Sequence, residues 1–186
     1  RMVRAGEIEK NDGERCLAFT NNPGIVFVIC AVGSGIFGSM FIGLYLWIIQ
    51  TVAAILVGVV MANPNRRITF ESMCSKVQIS LGNVFPRAVV SSVSAVLNIC
   101  GFVIFFRVLI AVFSSSFLPD SLRILFSGLL EMTCGLSNFS QFTMVSAIFA
   151  SFLLGWSGIS VHFQILNVIS AAELSPRYYF PGKVVQ

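Results

Sequence analysis

The sequence predicts an all-α fold: a polytopic transmembrane helical protein with broken or re-entrant helices. Three observations carry this. Of 186 residues, 56% are hydrophobic and only 11% are charged, whereas soluble domains carry about a quarter charged residues; the mean hydropathy is +0.87. Gly24 to Ala62 is a run of 39 residues without a charge. Later apolar segments are short and interrupted by Gly and polar residues, the pattern of broken helices in secondary transporters. The same arithmetic excludes disorder, which needs few apolar and many charged residues.

Residues 1–22 form a polar amphipathic segment with four acidic and four basic side chains, closed by Thr20-Asn21-Asn22-Pro23-Gly24, a cluster of helix breakers. The 39-residue run would be about 58 Å long as one helix, against a hydrocarbon core of about 30 Å. The region 23–62 is therefore read as two transmembrane helices, near 24–41 and 44–62, with a turn near Gly43. Residues 63–85 form a basic connection. Through Arg87 it holds Arg66, Arg67, Lys76 and Arg87 against Glu71, which predicts a cytoplasmic position; a short surface helix is expected over 70–82. A membrane domain over 86–172 opens with a long helix, 86–113, for whose first turn Pro86 is suited. Its apolar pieces 121–132, 142–154 and 159–171 are separated by Glu131-Met132-Thr133-Cys134-Gly135 and Gly155-Trp156-Ser157-Gly158. Residues 173–186 read as the start of a further helix.

The formal charge of +4 does not point to nucleic acid, because the basic residues are scattered rather than gathered on a phosphate-binding face. The expected partner is the lipid bilayer. Five separated cysteines, with no CxxC, provide neither a disulfide framework nor a zinc site. No cofactor or metal is expected. Gly33-Ser34-Gly35-Ile36-Phe37-Gly38 matches GxGxxG but lies inside an apolar span without a βαβ context. Its small residues are read as allowing close helix approach. Asn138-Phe139-Ser140 is a chance glycosylation pattern.

The candidate site residues are polar groups at membrane depth or at helix breaks. Glu131 is an acid in an apolar run, which must face a partner, a cavity or the protein interior. It can take a proton or coupling cation, orient a solute, or bond a helix end. Thr133 and Gly135 place a break beside it. Ser157 and Gly158 can present backbone amides to an anion. Ser160 and Gln164 share a helical face at i, i+4, and His162, the lone His, lies between them; the set reads either as a solute path or as helix packing. Asn21, Asn22 and Gly24 border the first apolar run at a second break. Arg107 pairs with Glu131, meets an anion, or snorkels to the interface. No paired nucleophile and base is visible, so an enzyme is not expected.

Three blocks of sequence resemble the YlbJ-type sporulation integral membrane proteins. They are Phe19-Thr20-Asn21-Asn22-Pro23-Gly24 with Phe37-Gly38-Ser39; Ser127-Gly128-Leu129-Leu130-Glu131-Met132-Thr133-Cys134-Gly135-Leu136; and Leu154-Gly155-Trp156-Ser157-Gly158-Ile159-Ser160-Val161-His162-Phe163-Gln164. Gly101 to Phe106 is similar to their middle helix. The resemblance implies the C-terminal portion of a longer protein, with residues 1–22 ending a first hairpin and 173–186 opening a truncated final helix. It implies the nucleoside recognition, or Gate, fold, similar to half of a concentrative nucleoside transporter-like inverted repeat. It further implies a transporter of sporulation moving dipicolinic acid, a small anionic solute, across the outer forespore membrane, with a proton or cation as the coupling partner. Nucleoside or other small-anion transport and a non-transporting membrane scaffold are the alternatives.

Overall fold

The computed structural model describes residues 3, 8–62, 81–114, 119–139 and 141–186. Among these, all regular structure is helical. Helix α1 (Lys10–Thr20) is the short helix expected in the polar segment. A π-helical segment, Phe27–Ile36, and α2 (Met40–Met61) follow. Next come α3 (Leu81–Ser114), α4 (Asp120–Leu130), α5 (Met132–Leu136), α6 (Met144–Trp156), α7 (Ile159–Ala171) and α8 (Tyr179–Val185). The basic segment 63–80, with the surface helix expected over 70–82, lies outside the described residues.

Three stretches are long and apolar enough to cross a membrane: Met40–Met61, Val84–Phe113 and Met144–Ala171. The third is α6 and α7 together, interrupted at Ser157-Gly158. At 22 residues, α2 is about 33 Å long, enough for one bilayer. Helix α3 is exposed along nearly its whole length, with Phe85, Val90, Leu97 and Val112 uncovered, an apolar surface suited to lipid.

Two boundaries differ from the sequence expectation. The 39-residue run does not make two spans, because the turn lies at Phe37–Ser39 rather than near Gly43. Gly38 supplies the turn, at φ +68°, a conformation glycine adopts without a Cβ penalty. Gly43 is used instead for contact: a Cβ on Gly33 would lie 2.5 Å from the Gly43 Cα, and one on Gly43 would lie 2.6 Å from the Ile29 Cα. The π segment and α2 thus touch backbone to backbone, as small residues permit in membrane interfaces, and the segment before the turn is left too short to span. The long helix also starts at Leu81, so Pro86 lies inside it rather than in its first turn. The missing N–H removes a single bond, back toward Gly82.

Helices α4 and α5 form a second tight hairpin. A Cβ on Gly135 would lie 2.3 Å from the Gly128 Cα. The core unites both hairpins with α6: Val28, Val32, Leu46, Met132, Leu136, Ala150, Leu153 and Leu154 pack together with Phe37. Helix α6 begins at a capping box between Thr143 and Ser146, which satisfies two backbone donors at its start. Residues 173–186 form a turn and α8, laid on α1, where a Cβ on Gly182 would come within 2.6 Å of Ala18. Arg15 Nη1 donates to the Met61 carbonyl at 3.3 Å, placing a cation at the C-terminal end of α2.

Replacing Gly135 by Val drives a branched side chain into the α4 backbone and is expected to cost about 1–3 kcal/mol. Gly35→Ala, whose new Cβ meets its first neighbour at 3.4 Å, is expected to be close to neutral. Thermal unfolding of the detergent-solubilised protein, followed by loss of the monodisperse chromatographic peak, separates them; equal melting of the two variants would refute the close crossing.

Candidate functional site

Two helix breaks meet at the centre of the described structure. The first is at Glu131, which ends α4 and caps α5. Its carboxylate accepts from the Cys134 backbone N–H at 2.9 Å and from the Thr133 hydroxyl. The side chain is buried, 2% exposed. An extended Glu131 backbone (φ −143°, ψ 113°) separates the two helices, and a carboxylate over the first amides of α5 is favoured by the helix dipole. The second break is at Ser157-Gly158. Ser157 ends α6 in the left-handed region at φ 70°, and Gly158 starts α7 at φ 86°, ψ 153°, a combination available essentially to glycine alone.

The breaks are in direct contact. A Cβ on Gly158 would meet Met132 N at 3.0 Å and the Glu131 Cα at 3.3 Å. Just beside them, Trp156 Nε1 donates to the Leu129 carbonyl at 3.1 Å, occupying a carbonyl left without an intrahelical partner at the end of α4. Arg107 of α3 is exposed and donates through Nε to Cys134 Sγ at 3.1 Å. It therefore reaches the residue whose amide Glu131 caps.

A second cluster joins the chain's first turn to its last helix. Asn21 Nδ2 donates to Tyr179 Oη at 3.5 Å. Tyr179 Oη and His162 Nδ1 are hydrogen-bonded at 2.8 Å. His162 is buried among the rings of Trp156, Tyr179 and Phe180, and its Nε2 has no hydrogen-bond partner among the described residues. Lys183, 2% exposed, donates to Asn22 Oδ1 at 3.1 Å, Gln186 Oε1 at 3.0 Å and the Gly155 carbonyl at 3.4 Å. Asn22 Oδ1 also accepts from Gln186 Nε2 at 2.5 Å.

The candidates therefore fall into groups. Glu131, Thr133, Ser157 and Gly158 gather at the crossing. Asn21, Asn22 and His162 gather around Tyr179 and Lys183, with Gly155-Trp156 between the two groups. Ser160 and Gln164 are paired along α7 by a 3.4 Å hydrogen bond. Gly135 is engaged in the α4–α5 contact, and Gly24 lies exposed at the head of the π segment, where its carbonyl accepts from Val28 N at 3.1 Å. Sequence reasoning missed Lys183, Tyr179 and Gln50. The signal for Lys183 was present, as a cation within the apolar stretch Tyr178–Gln186, and the argument applied to Glu131 applies equally to it. Gln50 is buried in α2, donates to the Leu154 carbonyl at 3.4 Å, and its Oε1 has no hydrogen-bond partner among the described residues.

Among the described residues no group of three or more His, Cys, Asp and Glu side chains could hold a metal. In α1, outside the spans, burial first and the Asp12 carboxylate second push the Cys16 thiol up. That keeps it protonated and weakly nucleophilic.

The chain is 28% identical over 228 residues to the sporulation integral membrane protein YlbJ of Bacillus subtilis (strain 168); the match takes in 100% of this chain and 56% of that protein. The family resemblance read from the sequence blocks agrees with this similarity, and the chain spans about half the length of this relative. No family model matches the chain, and no solved structure matches it. The relative and the apolar helices agree on an integral membrane protein.

The crossing makes a local test. Gly158→Ala combines an unfavourable backbone conformation with a new atom against Met132 and is expected to cost about 2–3 kcal/mol. Ser157→Gly, which relieves a left-handed non-glycine residue, is expected to be neutral or stabilising by up to about 1 kcal/mol. A Gly158→Ala melting temperature equal to wild type would remove the crossing as a constraint on the fold.

Proposed function

We propose that the chain is part of a solute transporter of sporulation, and that its solute is a small anion, dipicolinic acid, moved across the outer forespore membrane. The observation that carries this reading is the contact between two helix breaks, at Glu131 and at Ser157-Gly158, within apolar helices. Interrupted helices bring backbone amides, carbonyls and a carboxylate into one place at membrane depth, which is how secondary transporters build solute and ion sites. Backbone continuous through the membrane would satisfy its own polar groups and offer none of them. The name of the Bacillus subtilis relative, a sporulation integral membrane protein, supports the setting. The family resemblance supports the solute and a Gate-like arrangement similar to half of an inverted repeat.

In this reading Glu131 carries the coupling proton or cation. Protonation would loosen its grip on the Cys134 amide and Thr133 hydroxyl, freeing the start of α5. Amides at Ser157-Gly158 receive a solute carboxylate. Nucleoside or other small-anion transport uses the same parts. The scaffold reading has its own support: both hydrogen bonds of Glu131 are local, so the carboxylate can serve as a cap alone. Neither reading requires an enzyme.

Dipicolinic acid content of purified spores tests the proposal, in a spore-forming host whose own relative has been deleted and which carries the full gene. Restored content with the wild type, lost with Glu131→Gln at equal membrane protein level, is the expected outcome. Full restoration by Glu131→Gln would assign that residue to capping. No restoration by the wild type would leave the scaffold reading in place.

A further inference from the structure

We infer that α3 is a strap across the two broken helices: Phe106 holds α7, Arg107 holds α5, and release of Arg107 from Cys134 frees the two breaks to move apart. The consequence for solute movement rests on the transport reading above; the strap itself does not.

Two consecutive residues of α3 make the contacts. Phe106, 5% exposed, is the buried hydrophobic side chain of α3 among the described residues. Its ring centroid lies 6.0 Å from that of Phe163, in the second turn of α7. Arg107 Nε donates to Cys134 Sγ at 3.1 Å, in the first turn of α5. Helix α5 begins at the Glu131 break and α7 at the Gly158 break. One turn of α3 therefore touches both half-helices just after they restart. From Val84 to Phe113 the other side chains of α3 are half-buried or exposed, so this turn is where the helix is fastened.

The two contacts differ in kind. Ring against ring is apolar and non-directional, and it tolerates small rotations. An arginine in an apolar span is costly and needs a partner, and a leucine at the same place would pack without that cost. The partner here is a thiol sulfur, a weak acceptor. Such a bond is directional, yet water or a lipid phosphate can take its place. Phe106 is thus the pivot and Arg107 the releasable end. The sulfur belongs to the residue whose backbone N–H donates to the Glu131 carboxylate at 2.9 Å. Arg107 and Glu131 therefore hold the same residue, one from α3 and one from within the break.

Alkylation of the full-length protein in detergent by N-ethylmaleimide, read at single cysteines by mass spectrometry, tests the strap. Arg107→Met is expected to speed labelling of Cys134 about three- to tenfold, the worth of one hydrogen bond in an opening equilibrium. Loss of a shield alone would do as much, so the deciding readout sits beyond the other break. Ser160→Cys, at a buried position of α7, is expected to label at least about twofold faster when combined with Arg107→Met. Cys134→Ala removes the acceptor instead of the donor. It is expected to act on Ser160→Cys in the same way, and it decides the matter if Arg107→Met does not fold. An unchanged rate at Ser160→Cys overturns the strap. So does a parallel rise at Cys16 in α1, which would show general loosening. Joining Arg107→Cys to Cys134 with a short bismaleimide fastens the strap and is expected to abolish dipicolinic acid uptake by proteoliposomes. Uptake equal to that of the same protein before cross-linking overturns the role of release. No uptake by the wild type would remove the transport reading and leave the labelling rates to decide the strap.

Discussion

The contact between the Glu131 break and the Ser157-Gly158 break is the constraint on which most of the structure depends. Each break alone would leave helix-end amides and carbonyls without partners in a region with no bulk water to replace them. Placed against each other, the breaks answer part of that need. Glu131 and Thr133 tie off the start of α5 within their own break, and from the other break the Trp156 indole takes the Leu129 carbonyl. Gly158 brings the start of α7 against Met132 with no side chain between them. Small residues set the distances: Gly135 against Gly128 closes the α4–α5 hairpin, as Gly33 against Gly43 closes the π segment onto α2.

The crossing is held from both sides. On one, the two hairpins and α6 share the apolar core around Leu153 and Leu154. On the other, α8 lies on α1 and inserts Tyr179 and Lys183 beneath the first turn, where Asn21 and Asn22 bond them. Residues more than 150 positions apart in the chain thus enclose the Gly155-Trp156 end of α6. Its Gly155 carbonyl meets a cation there, the favoured partner for a helix C-terminus. The packed crossing, the core and the polar cluster are therefore one assembly.

Much was legible from residue types. A span near 44–62 and a long helix near 86–113 follow from apolar length, and the breaks at Glu131 and Ser157-Gly158 follow from charge, Gly and Ser placed where a helix has no use for them. What was misread concerns glycine. Gly38 and Gly43 are both eligible turn residues, and nothing local distinguishes the one that turns from the one that packs. The difference arises from the Gly33 backbone pressed against Gly43. Pro86 was equally eligible for a first turn, and the helix extends past it to Leu81.

By itself the sequence determined the solvent, the helical class and the positions of the polar exceptions. These depend on side-chain transfer energies and backbone propensities, which each residue carries wherever it sits. The tertiary structure decided which exceptions meet. Glu131 could have faced Arg107, a solute or a helix end. Folding turned it to Cys134 and Thr133, and gave Arg107 the sulfur of that same cysteine. It also brought Lys183 to Asn22 and Gly155. Pairings of this kind depend on the distance between groups far apart in the chain, and only the packed helices fix that distance.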